Sequence, residues 1–526
     1  MSTKSEQIVR SRTPMHPGAP PKFCHRVFGT TFHGSGSQMD PLRGEPESLF
    51  RMLAFDLGLD GPWVRGLHAE FLARSAYVRD PGTHLKVLQA VLYGIGKARA
   101  EARTHGRRCV VGFHKHCSYY NTRPDLPGHR VVGAVLRFLE GAGLITVMVS
   151  SGQGRTSYFE PTASFPFDQR LLPVVLNERG RVLVKRRKAG SAGSAAGVGE
   201  RPQRSSDKCV RDDELTPDDL ATVERVREEI VRINAHNLKY SYFVCDTDDI
   251  WYDLSHGAVI LRVVFNNGGV SDGGRNFSVF HSLPQREIHV RETLRIGTGE
   301  TVELDFANFH IRMLYHRRGL DFHGDCYEAI DIPDWDATPE TKRALLKHII
   351  LALPNCGKLG KSAKQNRSSA YKMAKKQMVE FRNRANQPRW PGSLPEGGDE
   401  TAHQTAIDAW RRLSLPDTIT AKYIVDAILK AHAPIADDLY TGVGVMLQGL
   451  DGQLARNVML RFVELGRPCL SCHDSFDVWP EDEQLLRRVM VEEYQKFPQF
   501  NGFEPGIKRT DKKRPVLPPF PEEFLP

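Results

Sequence analysis

Two short segments carry the residues best suited to chemistry. Asp305 lies in TVELDFANFHIRMLYH (301–316), and Asp474 lies in PCLSCHDSFDVWP (468–480). Carboxylates are hard oxygen ligands, so two brought together suit a pair of Mg²⁺ ions, with Mn²⁺ as a substitute. Ions about 4 Å apart in such a site can clamp the attacking and leaving oxygens of an in-line displacement at phosphorus. A third segment, TKRALLKHIILAL (341–353), spaces Arg343 and Lys347 four residues apart. That spacing puts both on one helical face, where they can meet a polyphosphate. Directly after it, residues 358–384 hold nine basic side chains against one acidic, Glu380. Lys358, Lys361, Lys364 and Arg367 lead this run, and Tyr371 and Phe381 interrupt it. Basic residues with interleaved aromatics suit a nucleic-acid backbone with stacked bases. Singly, each feature has an ordinary structural explanation: a helix cap, a turn, a solvated amphipathic helix, a charged face.

These residues need elements to hold them. Val302, Leu304 and Phe306 alternate as in a strand, whereas Phe309, Met313 and His316 recur at helical spacing. Asp305 is therefore expected at a strand end, just before a helix begins. Cys469–Cys472 and Ser475–Trp479 read as two short strands, with His473 and Asp474 at the hairpin tip. In the N-terminal part, His84–His105 and Arg130–Ala142 carry apolar residues at helical spacing. LITVMV (144–149), a Gly-rich turn and SYFEPT (157–162) then read as a hairpin. Helix, helix and hairpin resemble a winged helix-turn-helix, in which Arg130 would start the groove helix and Arg155 would sit in the wing.

The expected organisation is a disordered leader (1–45), a winged-helix-like nucleic-acid-binding domain (46–176) and a flexible linker (177–216). A large α/β domain (217–504) and an extended tail (505–526) follow. Composition bounds the function class. The chain has 526 residues, 40% hydrophobic and 26% charged, with a net charge of +9. That is ordinary for a globular protein, and the basic excess points weakly to a polyanion. No apolar run reaches membrane-span length, and the first residues lack an apolar signal core. Nine scattered cysteines fit a reducing, cytoplasmic setting better than a disulfide scaffold. Cys469-Leu470-Ser471-Cys472-His473 matches a haem-attachment pattern by letter, but it falls in an expected strand and no export signal precedes it. Zinc there lacks a second ligand pair. His114, His116 and Cys117 read as loop residues, and Asp246, Asp248 and Asp249 as a solvated turn.

The segments together carry a family resemblance. DFANFHIR resembles the first palm motif of family A DNA polymerases, D-Y-S-Q-I-E-L-R, and HDSF resembles the last, which phage single-subunit RNA polymerases share. Between and around them, GGRNFSVFHSLPQREI (273–288), TKRALLKHIILAL and LQGLDGQLARNVMLRFVELG (447–466) resemble further motifs in the family's order. The resemblance spans roughly 265–500. It implies a right-hand polymerase palm with helical fingers, acting on a nucleic-acid primer-template and nucleoside triphosphates without a membrane. It further implies that Asp305 and Asp474, with the Phe306 backbone, hold two Mg²⁺ ions. Lys347 and Arg343 would meet the triphosphate, Lys347 also serving the leaving group, while Arg275 and His473 would touch the primer end and Asp325 would have a structural job.

Three departures from the family pattern matter. His310 stands where the DNA enzymes carry Glu and the RNA enzymes a small residue, so it borders the sugar without fixing its type. Leu353-Pro354-Asn355-Cys356-Gly357 replaces the usual Tyr-Gly. No exonuclease counterpart occurs in 1–216, and the thumb region is short, which implies no proofreading and poor processivity. The expected function is a DNA-directed DNA polymerase. The alternatives are an RNA polymerase or primase of the same superfamily, and a non-catalytic DNA-binding replication initiator.

Overall fold

The computed structural model describes residues 48–521 apart from 53–56, 76–79, 106–107, 114–126, 150–156, 166–173, 177–180, 187–208, 246–250, 255–256, 284–289, 329, 333–334, 336, 358–361, 387–414, 417 and 512–516. Arg155, Lys358, Lys361, His114, His116, Cys117, Asp246, Asp248 and Asp249 lie outside the described residues. The described chain is an α+β fold of helices and small sheets, divided into two compact units. One comprises 1–262, 278–299 and 513–526, and the other 263–277 and 300–512.

In the first unit, helices α1 (Pro62–Arg74), α2 (Pro81–His105) and α3 (His129–Gly141) accompany a four-stranded sheet. Its strands are β1 (Ser48–Met52), β2 (Arg108–Phe113), β3 (Ile145–Met148) and β4 (Ser157–Pro161), in the order β1-β2-β4-β3. The expected hairpin is antiparallel β3–β4, with Ile145 opposite Pro161 and Met148 opposite Tyr158. The apolar stripes of α2 (Val87, Leu88, Val91, Leu92, Ile95) and α3 (Val132, Val135, Leu136, Leu139) close over Ile145 and Phe159 in one core. Helical periodicity read from sequence is thus spent on burying a sheet face.

Within the stretch expected as a linker, residues 181–186 and 209–216 are described and carry regular contacts. Val182–Val184 is a strand, Lys185 bridges to Cys209, and Arg186 ion-pairs with Glu214. The alternation that buries Val182 and Val184 drives this. Helix α4 (Pro217–Asn237) follows, its first turn capped where the Thr216 hydroxyl accepts the Asp219 N–H. It groups with the first unit, so the compact division falls at 262 and not at 217. In the tail, Leu517 and Phe520 pack on Phe243, Cys245 and Trp251, and Arg295 stacks over the Trp251 and Phe520 rings. Two apolar anchors among prolines are enough to dock it.

The second unit is built on β5 (Gly273–Phe277), β6 (Val302–Phe306), β7 (Leu470–Cys472), β8 (Ser475–Val478) and β9 (Ile507–Arg509). The last four form one sheet in the order β7-β8-β6-β9. Its helices are α5 (Phe309–Arg317), α6 (Pro339–Ala352), α7 (Ala363–Asn386), α8 (Ala421–Ala431), α9 (Gly444–Glu464) and α10 (Glu483–Gln495). Val302, Leu304 and Phe306 are buried, and the Phe306 ring stacks on Phe309 at 4.5 Å. A period of two therefore sends Glu303 and Asp305 to the opposite face. Helix α9 lies on β5 with backbone almost touching backbone, and a Cβ at Gly452 would run into the Gly274 carbonyl. Arg456 donates to that same carbonyl, and Asn276 donates to the Gly452 carbonyl.

Candidate functional site

The strand-to-helix turn after Asp305 is two residues long, Ala307 and Asn308. Asn308 sits at φ 54°, a left-handed conformation that Asn tolerates better than most residues. The hairpin β7–β8 closes with Cys472 opposite Ser475, leaving His473 and Asp474 as a two-residue turn with His473 at φ 60°. Because β6 and β8 pair with Asp305 opposite Ser475, this turn lands beside the end of β6. The Phe306 N–H then donates to the Asp474 carbonyl at 3.2 Å. Two aspartates far apart in sequence are thereby held on adjoining backbone.

Their electrostatics reflect the crowding. The Asp474 carboxyl is pushed up to about 8, first by burial and then by the negative charges of Asp305 and Asp451. Burial also raises Asp305, while Lys508 and then Lys347 pull it back. Lys508 stands opposite Asp305 across β6 and β9, its Nζ 3.1 Å from Asp305 Oδ2. Asp451, on α9, is 1% exposed and receives Arg275 Nε at 2.8 Å and Nη2 at 2.6 Å, both on Oδ2. His310 Nε2 lies 3.7 Å from the same oxygen. Burial acts to raise Asp451, but His310 and Arg275 outweigh it and hold the carboxyl below its usual value.

Several expected residues therefore converge: Arg275, Asp305, His310, Lys347 and Asp474. The His473 ring packs edge-on against Phe277 at 6.0 Å. The Phe306 ring is buried beneath the sheet, so only its backbone belongs to this constellation. Others have different engagements. Arg343 pairs with Asp325 at 2.7 Å and stacks over Tyr327, so the Arg343–Lys347 pair read from sequence is divided between two partners. Arg367 ion-pairs with Asp426 at 2.9 Å, and its Nε donates to the Tyr371 hydroxyl. Lys364 on α7 and Arg130 on α3 are exposed.

Asp451 and Lys508 were missed from sequence. Asp451 had a signal: Leu447, Asp451, Ala455, Val458 and Phe462 share one buried stripe of α9, so a carboxylate occupies a core position. Lys508 lay in what read as a tail, and nothing local marked it.

The donor chemistry suits hard divalent cations. Burial, and then the charges of Asp305 and Asp451, lift Asp474 to about 8, a penalty on its charged form that a bound cation would relieve. Among the described residues no three His, Cys, Asp or Glu side chains assemble as a metal cage. Mg²⁺ commonly takes one or two carboxylates and completes its shell with water and substrate phosphate. Asp305 and Asp474 would hold such an ion here.

No family model matches this chain, and no curated protein matches it. Among solved structures it is similar to the POL domain of Pol1 from M. smegmatis in complex with DNA primer-template and dNTP, at 16% identity and a TM-score of 0.25. The likeness covers 56% of this chain and 51% of that one, so the chain spans about half the length of this neighbour. A likeness this remote assigns no residue a role. No helix among the described residues is long and apolar enough to cross a membrane.

Proposed function

We propose that this chain is a template-directed nucleotidyltransferase that extends a nucleic-acid 3′-hydroxyl with nucleoside triphosphates, most simply a DNA polymerase without proofreading. The observation that carries this reading is the junction of β6 with the β7–β8 turn, where Phe306 bonds to Asp474 and the two carboxylates repel one another. Bound Mg²⁺, or Mn²⁺ in its place, would make the 3′-hydroxyl more acidic and neutralise charge on the triphosphate.

The chain's own residues do the rest. Asp305 at the end of β6 and Asp474 in the turn before its partner β8 fix the reacting centre, so their spacing is set by backbone hydrogen bonds. Lys347, whose charge acts on Asp305, reaches toward the transferring phosphates from α6. Arg275, fixed by Asp451, offers its remaining donors to the primer end, and His473 borders it. His310, in the first turn of α5, would border the sugar. In the first unit, α3 with exposed Arg130 and the β3–β4 hairpin would dock on duplex nucleic acid in the manner of a winged helix.

Extension of a labelled primer-template with Mg²⁺ and each nucleotide set tests the reading. Asp305→Ala and Asp474→Ala should each lower extension by about a thousandfold or more, since several kcal/mol of charge stabilisation is lost. Equal background in all three proteins would leave nucleic-acid binding as the function. His310→Gly, compared with dNTPs and NTPs, reads out the sugar preference and separates DNA from RNA synthesis.

A further inference from the structure

The cluster around Asp305 contains one cation that the reading above does not use. We infer that Lys508 is a polyphosphate-binding lysine that occupies Asp305 until divalent cations displace it. This rests on the nucleotidyltransferase reading and adds a residue to its substrate site.

The argument starts with register. Asp305 and Lys508 are direct partners in the antiparallel β6–β9 pair, so their side chains leave the sheet on the same face with Cβ atoms about 5 Å apart. The neighbouring Arg509 goes the other way and pairs with Glu483 at 3.1 Å. Of these two basic residues, only Lys508 is delivered to the carboxylates. Its root is fixed: Ala307 N–H donates to the Gly506 carbonyl, Thr510 N–H to the Glu303 carbonyl, and Arg487 to the Ile507 carbonyl. Its tip is not, because the Lys508 side chain is 55% exposed while Asp305 is 24% exposed. The ammonium therefore covers the open side of Asp305, on a flexible stem anchored to a rigid strand.

An ammonium and a divalent cation compete for the same carboxylate oxygen. A divalent ion carries twice the charge and takes several oxygen ligands at once, so it wins when it arrives with a polyphosphate. The displaced ammonium would remain tethered within a side-chain length of Asp305, available to phosphate oxygens of the incoming nucleotide. Lysine suits this role, being a compact, mobile point charge with three donors.

The two halves of this inference predict opposite effects, which makes them testable with the full-length chain. Lys508→Met keeps the stem and deletes the charge. Mn²⁺ binding without nucleotide, followed by electron paramagnetic resonance, should tighten by about fivefold, as expected for removing one partly solvated competitor. The nucleotide KM of the same variant should rise about tenfold, with kcat changed less, for loss of a charged contact to phosphate. Lys508→Arg should stay near wild type in Mn²⁺ affinity. Unchanged Mn²⁺ affinity in Lys508→Met, or an unchanged KM, overturns the inference. If Asp474→Asn binds Mn²⁺ as wild type does, the metal reading itself fails and takes this inference with it. Loss of binding in Asp474→Asn with no response in Lys508→Met refutes the role of Lys508 alone.

Discussion

Asp474 gives the protein a pH-dependent stability that one substitution should erase. Its carboxyl is at about 8 in the folded chain against an ordinary value of 3.8. Between those values the folded state keeps a proton that the unfolded chain has released, so folding takes up a proton. Stability contributed by this group is present in full below the unfolded value and falls as pH rises, at up to about 1.4 kcal/mol per pH unit. From pH 5 to pH 8 the loss is about 4 kcal/mol. For a unit of this size that corresponds to a drop of about 10 °C in melting temperature. Asp474→Asn has the same shape and no charge to confine, so its melting temperature should fall much less over the range. A residual slope from Asp305, also raised by burial, will remain in both proteins. The assay is differential scanning calorimetry in chelator-treated buffer at half-unit pH steps. Mg²⁺ should restore stability to wild type at pH 8 and do little for the variant. Parallel curves for the two proteins would mean that Asp474 titrates as an ordinary carboxylate and that the crowding argument is wrong.

Asp451→Ala should destabilise the second unit by about 1–3 kcal/mol in denaturant titration, because it strands Arg275, which is only 26% exposed. A double-mutant cycle with Arg275→Ala should show that most of this cost is shared between the two side chains. Gly452→Ala should cost about 1–3 kcal/mol, since the added methyl meets the Gly274 carbonyl and forces α9 off β5; a wild-type melting temperature in that variant would refute the packing described. Phe520→Ala should cost about 2 kcal/mol and raise Trp251 accessibility to a fluorescence quencher, since Phe520 contacts Phe243 and Trp251.

What was legible from sequence follows from how far each signal reaches along the chain. The break at Asp305 and the hairpin around Asp474 were readable because alternation and helical period change within a few residues. The resemblance in motif order then suggested that these two segments belong together. The engagements of Arg343 and Arg367 were not legible for the complementary reason: their carboxylate partners, Asp325 and Asp426, come from other segments. Spacing on one helix gives no information about such partners. Asp451 is intermediate, since its place on an apolar stripe was local, but its link to Arg275 spans 176 residues of chain. Lys508 depends wholly on pairing with a strand some 200 residues earlier, and no local pattern encodes that register.

The position of β6 between β8 and β9 has a consequence for biosynthesis. When β6 leaves the ribosome neither of its flanking partners exists, and β9 follows it by roughly 200 residues, a delay of about 10–40 s at common elongation rates. Throughout that interval a strand bearing Val302, Leu304 and Phe306 has unsatisfied hydrogen-bonding edges. The nascent chain is then most exposed to pairing with a neighbouring copy on the same message. The carboxylate pair needs only β8, which is made before β9, so a ribosome stalled before residue 507 would carry a chain with Asp305 beside Asp474 but still lacking its β9 partner.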